Sequence, residues 1–342
     1  MSREQTSERS EVWEKDARFA IEAAVWAPSV HNTQPWRFGC RVTGGGPVVS
    51  LYADTERRLV VADPEGRELL ISGGCALYTL RVAMQFLGWA PRARVLPDPD
   101  RPALLAEVRF GSRAEVTEEV RGWYEQVRRR RSHRGAFRDV VVGGEVQSAV
   151  SAQAVAEGAR LEVAAPREGV ALGALTEAAE QVQRMNPAFV AEAARWAPVP
   201  GSARRDGVHE GAYPRVPERT DPHFAMRDFA RGRGWGAVVA GGGSGVPGVT
   251  GVVALLTTRG DEREDWLAAG QALQRVLLRA SAGGLSAAFH TQALEVPELR
   301  EFIRTRFCGG CYPQMLMRLG VADGDLETVR RPTDHMIREE LS

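Results

Sequence analysis

The sequence predicts an α+β fold built from two related halves. Segments with a helical apolar stripe alternate with short runs of β-branched residues. Two long apolar helices also share the pattern Gly-x-Ala-Leu, followed by a further glycine fourteen residues after the first: Gly74 with Gly88, and Gly270 with Gly284. Coincidence among abundant residue types is the alternative explanation. Two related halves would pack as an intramolecular pseudo-dimer, with a site in the crevice between them.

Periodicity and turn residues place the elements along the chain. Helices are expected over 12–27, 69–87, 116–131, 146–156, 168–196, 265–282 and 296–306, and strands over 36–42, 48–52, 104–110, 161–164, 237–240, 249–257 and 314–319. The stretch 197–235 contains five prolines and little periodicity, which is typical of a functional loop or lid. We therefore expect a first half over 1–112 and a second over 113–342, with a lid-like insertion at 197–235.

Composition excludes several functions. Basic and acidic residues balance at 44 each, so a chain-wide basic footprint for nucleic acid is missing. Lys15 is the only lysine, which excludes the lysine-dependent phosphate loop, Schiff-base catalysis and protein-kinase chemistry. No run of about 18 apolar residues predicts a membrane span. The polar start of the chain does not resemble a secretory signal, and four cysteines make no disulfide framework, so a cytoplasmic location is expected.

Two segments are dense in residues that bind anions or amides. The first is Ala-Pro-Ser-Val-His-Asn-Thr-Gln-Pro-Trp-Arg-Phe over 27–38, and the second is Arg-Arg-Ser-His-Arg-Gly-Ala-Phe over 130–137. An arginine-rich helix end that complements the helix dipole is the alternative explanation for the second, and an ordinary helix stop followed by a turn is the alternative for the first.

Together these segments resemble the nitroreductase family of FMN-dependent oxidoreductases, in which an Arg-Arg-Ser-x-Arg motif and a Pro-Ser-x-x-Asn-x-Gln-Pro-Trp motif line the flavin. Residues 266–285 are similar to the family's central dimer helix, 313–320 to its last core strand, and 330–332 to its closing Arg-x-Pro segment. Here the Asn loop precedes the Arg motif by about 100 residues, the reverse of the usual order. That order resembles a subgroup with two fused halves, the Acg-like proteins of actinobacteria.

The resemblance implies one FMN per chain, because the first half lacks an Arg-Arg-Ser motif of its own. It implies that one group of residues binds the phosphate, the ribityl chain and the N1–O2 edge of the ring. The amides of a second group would bind the N3–O4 edge of the ring. The first group is Arg130, Arg131, Ser132, Arg134 and Arg330; the second is Asn32 and Gln34, with Thr33 in the same loop. His290, Thr291 and Gln292 fall where the family places backbone near N5, and Gln292 is included among the cofactor-binding residues.

The chemistry of these side chains agrees with the resemblance. Guanidinium forks match a phosphate and the negative charge that reduction adds near N1. Amides can both donate to and accept from an amphoteric ring edge. The resemblance implies ping-pong transfer of hydride from NAD(P)H through N5 to a nitroaromatic, quinone or enone, and it requires no catalytic protein side chain. The alternative is a flavoprotein that stores FMN beneath a permanent lid, in which Trp196, Tyr213, Phe224, Arg227, Phe229 and Trp235 would cover the ring.

No nucleic acid or membrane partner is expected. The expected partner is a small-molecule electron acceptor, and the chain would be a monomer acting as a pseudo-dimer or a weak homodimer.

Two further motifs are set aside. Gly-x-Gly-x-x-Gly over 243–248 precedes a strand and not the helix that a dinucleotide fingerprint requires. Cys308-Gly-Gly-Cys311 precedes the last strand, outside a thioredoxin-like context. The six histidines show no metal spacing, so no metal is expected; His31 and His133 could supply a proton near the flavin or be ordinary polar loop residues.

Overall fold

The computed structural model describes residues 3–43, 46–214, 219–229, 248–324 and 327–338. Within them the helices are α1 (Arg3–Ala24), α2 (Arg67–Phe86), α3 (Glu118–Val127), α4 (Gly144–Val155), α5 (Pro166–Arg184), α6 (Pro187–Arg195), α7 (Arg263–Ala282) and α8 (Pro297–Phe307). The strands are β1 (Trp36–Thr43), β2 (Gly46–Ala53), β3 (Arg92–Val95), β4 (Leu104–Arg109), β5 (Arg160–Val163), β6 (Thr220–Asp221), β7 (Gly248–Val249), β8 (Val252–Thr258), β9 (Ser286–Phe289), β10 (Tyr312–Gly320) and β11 (Ile337–Arg338).

Two main sheets accompany a central pair of helices, which confirms the α+β class. The first sheet has the order β11-β1-β2-β4-β3, and the second has the order β5-β8-β10-β9. Helices α2 and α7 pack against each other, and their apolar side chains belong to one large core that also includes side chains of both sheets. This arrangement leaves a crevice beside α2 at the β9 edge of the second sheet, where the site described below lies.

The glycines of the repeat explain how closely the two central helices approach. A Cβ on Gly74 would lie 2.3 Å from the Leu267 carbonyl oxygen and 2.8 Å from the Cα of Gly270. A Cβ on Gly270 would lie 2.1 Å from the Ile71 oxygen. Gly88 and Gly284 follow the ends of the two helices with φ of +78° and +75°, the left-handed conformation that favours glycine. Matching glycines of the repeat therefore have the same roles: one pair permits close packing of the helices, and the other pair follows the helix ends. The pseudo-dimer itself stays a prediction.

The C-terminal segment returns to the first sheet. Strand β11 pairs in parallel with β1, where Phe38 is opposite Ile337. The predicted boundary after residue 112 assigns this segment to the second half, so the two halves are linked by more than the covalent connection. The boundary and the two-half division otherwise stay predictions.

Several element predictions need correction. The helix predicted over 168–196 is two helices, because Asn186 caps α6 through its side-chain oxygen and Pro187 occupies the first turn. The helix predicted to Arg131 ends at Val127. The strand predicted over 249–257 is divided at Gly251, whose φ is +77°. The sequence does not predict strands β3, β6, β9 and β11. The strand predicted over 237–240, Trp235 and most of the 243–248 glycine motif lie outside the described residues.

Helix α2 is long and apolar enough to cross a membrane by composition, but 83% of its apolar window is buried inside the protein, as the central packing against α7 requires. The described residues contain no group of three or more His, Cys, Asp or Glu side chains that could hold a metal ion. All four cysteines are free thiols, including Cys308 and Cys311.

Candidate cofactor site

A cavity of about 110 Å³ lies between α2, the β9–β10 edge of the second sheet and the two segments that the sequence singled out. Its wall has contributions from the loop after α1, the first three turns of α2, the Arg motif, the segment after β9 and the 197–235 insertion. Predicted residues on this wall are His31, Ser132, His133, Arg134, Thr291, Gln292, Arg227 and Phe229. The two distant stretches of sequence therefore meet at one cavity.

The Arg motif follows α3 as an extended segment along the β9 edge. Ser132 forms a parallel bridge with Ala287, and the backbone N–H of His133 donates to the Ala287 oxygen at 2.8 Å. The ring of His133 contacts the Ala136 oxygen at 2.8 Å, which fixes the turn that follows. This pairing extends the second sheet and places Ser132 and Arg134 on the cavity wall.

Four arginines lie near one another, and we call Arg130, Arg131, Arg134 and Arg330 the guanidinium cluster. Arg130 and Arg330 each donate to the Trp26 oxygen at 3.2 Å. The guanidinium carbon atoms of Arg131 and Arg330 lie 5.2 and 5.4 Å from the Trp26 ring centroid. Residues from two remote parts of the chain thus converge on one tryptophan.

The guanidinium cluster has more donors than acceptors. Nε and Nη1 of Arg130 and Nε of Arg330 are buried without a hydrogen-bond partner. Within the described residues, neither these two side chains nor Arg134 forms an ion pair with a carboxylate. Leaving such groups unpaired in the interior is costly.

Burial lowers the pKa of Arg130 and of Arg134 to about 10, and burial together with the neighbouring guanidinium groups lowers the pKa of Arg330 well below its ordinary value. A bound anion would compensate these charges.

The side-chain amides of Asn32 and Gln34, which the resemblance assigns to the N3–O4 edge of the ring, have hydrogen-bond partners within the protein. The Asn32 side chain donates to the Gly207 oxygen at 2.9 Å and accepts from Arg330 at 3.0 Å. The Gln34 side chain donates to the Arg205 oxygen at 2.9 Å and accepts from the Arg331 backbone at 2.8 Å. Neither residue lines the cavity, and the same is true of Thr33. Both amides are used within the protein, so their predicted contact with the ring would require these bonds to break; Asn32 positions Arg330 instead.

His31 belongs to the same loop and lines the cavity together with Pro28, Ser29 and Val30. Its φ is +46°, and neither ring nitrogen has a partner. Burial lowers its pKa well below the ordinary value, and the charges of Arg227 and Arg134 add to this effect, so the imidazole is neutral. Phe229 meets the ring edge-on, with 5.3 Å between centroids. A neutral imidazole can donate from one nitrogen and accept at the other.

Arg318 was missed by sequence reasoning, which treated 313–320 only as a core strand. It is 1% exposed and lines the cavity from β10. Its Nε donates to Nε2 of His290 at 2.8 Å, and His290 Nδ1 in turn donates to the Ala225 oxygen at 3.2 Å. Burial and the charge of Arg318 hold the pKa of His290 well below its ordinary value, so His290 stays neutral. An arginine in the middle of an otherwise apolar strand is the sequence signal that could have identified it as a site residue.

The 197–235 insertion covers the cavity through its described part. Met226, Arg227 and Phe229 lie on the cavity wall. Earlier in the insertion, the Ala225 oxygen accepts from Gln292 at 3.1 Å, and the Ala212 oxygen accepts from Arg134 at 3.0 Å. These contacts tie the insertion to the Arg motif and to the segment after β9.

Comparison with known proteins identifies relatives over most of the chain. It is 31% identical over 312 residues to the Mycobacterium tuberculosis protein named NAD(P)H nitroreductase Rv3131, covering 89% of this chain and 85% of the relative. It is 28% identical over 335 residues to the NAD(P)H nitroreductase acg of the same organism, covering 93% of each. No family model matches the chain.

A crystal structure of a nitroreductase with bound FMN from Desulfitobacterium hafniense aligns with a TM-score of 0.37 and 14% identity, over 66% of this chain and all of that one. A nitroreductase in complex with FMN from Desulfovibrio desulfuricans aligns with a TM-score of 0.35 and 14% identity, over 66% of this chain and 98% of that one. The sequence relationship to Rv3131, which covers 89% of this chain, shows that this chain belongs to the nitroreductase family.

Proposed function

We propose that this protein is an FMN-dependent oxidoreductase of the nitroreductase type, with NAD(P)H as its hydride donor. The observation that carries the proposal is the guanidinium cluster: Arg134 lines the cavity, and the neighbouring Arg130 and Arg330 behind it have buried N–H groups that lack acceptors. A dianionic phosphate offers the acceptors and the negative charge that this cluster lacks. The names of the relatives, which describe NAD(P)H nitroreductases, support the same assignment.

The residues present fit such a cofactor. Arg130 and Arg330 would hold its phosphate through the unpaired N–H groups, while Ser132 and Arg134 would reach its sugar chain and ring from the cavity wall. Asn32 would keep Arg330 in place through the bond of 3.0 Å. Thr33, Gln34 and Arg131 stay proposed members of the site, as does Gln292 at the other end of the cavity. When bound, FMN would supply hydride transfer at N5, chemistry that belongs to the cofactor.

The chain's own contribution would be position, charge and exclusion of water. Ile71, Leu273 and Met315 supply apolar wall, and the insertion covers the cavity. The fixed positive charge of Arg318 would stabilise negative charge that develops in the cavity, and it acts strongly there because the surroundings are desolvated. The acceptor would be a nitroaromatic, a quinone or an enone. The protein would act in the cytoplasm with one cofactor per chain, as a monomeric pseudo-dimer or a weak homodimer.

A second candidate function is storage of FMN with little turnover. It is favoured by the contacts of Phe229, which packs against His31 and lies 5.8 Å from the guanidinium carbon of Arg134. A side chain held in this place would cover the open face of the ring and exclude nicotinamide. The two candidates share the cofactor and differ only in access to it.

Anaerobic titration of the purified yellow protein separates the candidates. Rapid bleaching by NADPH would support the enzyme, whereas a yellow protein that ignores NADPH and NADH but is reduced by dithionite would support storage. A colourless protein that gains no FMN on reconstitution would overturn both. Phe229→Ala provides a further comparison: it should speed reduction by NADPH greatly if the insertion blocks access, and change it little if the wild-type protein already turns over.

A further inference from the structure

A buried carboxyl group on the cavity wall has no place in the function proposed above. Glu68 lies in the first turn of α2, is 3% exposed and lines the cavity. Its Oε1 accepts one hydrogen bond, from Arg67 at 3.1 Å. Arg67 is itself held by the Gln314 backbone oxygen at 2.7 Å. The carboxyl group is therefore fixed in direction by a side chain that cannot move independently of β10.

The surroundings of Glu68 favour its neutral form. Glu295 lies near it and accepts three hydrogen bonds, from Arg227 at 2.5 Å, from Thr291 at 2.8 Å and from Gln183 at 2.8 Å. Asp63 is the other acid close to Glu68, and its Oδ2 accepts from the backbone of Leu69 at 2.9 Å. Arg67 and Arg227 are the cations that face Glu68 and partly oppose this effect.

Of two neighbouring buried carboxyl groups, the one with fewer donors keeps its proton. Burial and the charge of Glu295 accordingly raise the pKa of Glu68 to about 8.

We propose that Glu68 is the proton donor for reduction of the acceptor in this cavity. An acceptor of the quinone class would take a hydride, two electrons with one proton, at one of its carbonyl oxygens from the cofactor that NADPH has reduced, and a proton from the Glu68 carboxyl group at the other carbonyl oxygen. The product is the hydroquinone, and Glu68 remains as a carboxylate that recovers its proton from water. This inference rests on the proposed function and adds a catalytic residue to it.

The chain offers a matched control. Glu264 stands at the corresponding place in α7, six residues before Gly270 as Glu68 stands six residues before Gly74, and it is exposed. Glu68→Gln keeps the shape and removes the proton, and Glu68→Asp keeps a shorter acid. Glu264→Gln removes an equivalent carboxylate far from the cavity wall.

The test measures the two half-reactions separately by stopped-flow absorbance, with NADPH for reduction and 1,4-benzoquinone for reoxidation. We expect Glu68→Gln to slow reoxidation about 100-fold, a typical contribution of a positioned acid, and to change reduction by NADPH less than about twofold. Reoxidation of the wild-type protein should slow above pH 8, and this dependence should disappear in Glu68→Gln. Glu68→Asp should recover part of the rate, and Glu264→Gln should behave as wild type.

A readout without the cofactor completes the test. The infrared spectrum of the cofactor-free wild-type protein at pH 7 should contain a protonated carboxyl band. This band should be absent in Glu68→Gln and present in Glu264→Gln. Reoxidation of Glu68→Gln at the wild-type rate, or absence of that band from the wild-type protein, would overturn the inference. Failure of the wild-type protein to bind FMN or to react with NADPH would instead overturn the proposed function, and the infrared result identifies which of the two has failed.

Discussion

The two central helices begin with the same dipeptide, Arg-Glu, but the two copies differ in burial. Arg67-Glu68 opens α2 with both residues buried, at 5% and 3% exposure, and Glu68 on the cavity wall. Arg263-Glu264 opens α7 with Glu264 exposed, and Arg263 donates to the Pro102 oxygen at the surface. One pattern of sequence has become part of a site in one half and part of the solvated surface in the other.

A second pair of corresponding residues shows the same contrast. Arg109 and Arg318 occupy matching places before a glycine at the end of a strand. Arg109 is half-buried and reaches the Thr43 hydroxyl at 2.9 Å, whereas Arg318 is buried against His290 in the cavity. The repeat therefore preserves backbone packing at matching positions, while only one member of each pair lies on the cavity wall: Glu68 from the first predicted half and Arg318 from the second. The following predictions test this separation.

The largest effect should come from the helix contact itself. Gly74→Val and Gly270→Val each place a side chain against backbone at 2.3 Å or less, and should destabilise the protein by about 3 kcal/mol or more. Gly122→Ala in α3 is the control, because a Cβ there meets nothing within 4 Å; it should stabilise by about 0.5–1 kcal/mol. Urea unfolding measures all three. A tolerated Gly74→Val would show that the two helices can separate without loss of the fold.

Removing a charge from the guanidinium cluster should weaken FMN binding without lowering the stability of the cofactor-free protein. Arg130→Leu should weaken FMN binding about 30-fold, equivalent to about 2 kcal/mol for a charge-assisted bond. The cofactor-free protein should be at least as stable as wild type, since a buried charge with two unpaired N–H groups is removed.

Fluorescence titration and urea unfolding measure these two quantities for Arg130→Leu. Arg129→Leu is the matched control, because Arg129 is exposed, and it should leave FMN affinity unchanged. Equal affinity in both variants would remove Arg130 from the site.

The paired glutamates should differ in how stability depends on pH. The raised pKa of Glu68, about 8 against an ordinary 4.5, means that the folded state holds more protons than the unfolded state between these values. This contribution is fully present below about pH 4.5 and is lost as pH rises through 8, by at most about 1.4 kcal/mol per pH unit. Free energies of unfolding of cofactor-free protein should fall less with pH in Glu68→Gln than in Glu264→Gln. Parallel curves for the two variants would contradict the assignment.

The smallest effect should be shared equally by the halves. Gly88→Ala and Gly284→Ala force an L side chain into the left-handed region at +78° and +75°, which costs about 1–2 kcal/mol each. A Cβ at Gly284 meets nothing within 4 Å, so its cost is entirely that of the backbone. Thermal unfolding should place both variants together. A Gly284→Ala variant as stable as wild type would end the correspondence between the two helix ends.

Sequence reasoning succeeded where one local pattern determines the outcome. The apolar spacing of α2 and α7 and the repeat glycines indicated the central helices within a few residues. The Arg motif and the Asn loop were correctly expected to meet at one crevice. It could not assign the wall of that crevice, because Arg318, Glu68 and Met226 come from elements whose proximity depends on tertiary packing.

The amides show why a motif alone does not determine geometry. Asn32 and Gln34 have the residue types that a ring edge requires, but the chain supplies partners for them from 205–207 and 329–331, far away in sequence. Short elements were missed for a related reason: β9 and β11 are four and two residues long, and they exist because β10 and β1 offer edges for pairing.

The strand pairing between β11 and β1 has a consequence for biosynthesis. During translation β1 emerges early, but the edge that β11 later occupies stays open until Ile337 and Arg338 have left the ribosome exit tunnel. Arg330 emerges at almost the same moment. The nascent chain therefore completes its first sheet and its guanidinium cluster at the same stage of synthesis. A ribosome stalled before this point would hold a chain with an exposed sheet edge, a surface that chaperones recognise and that invites aggregation.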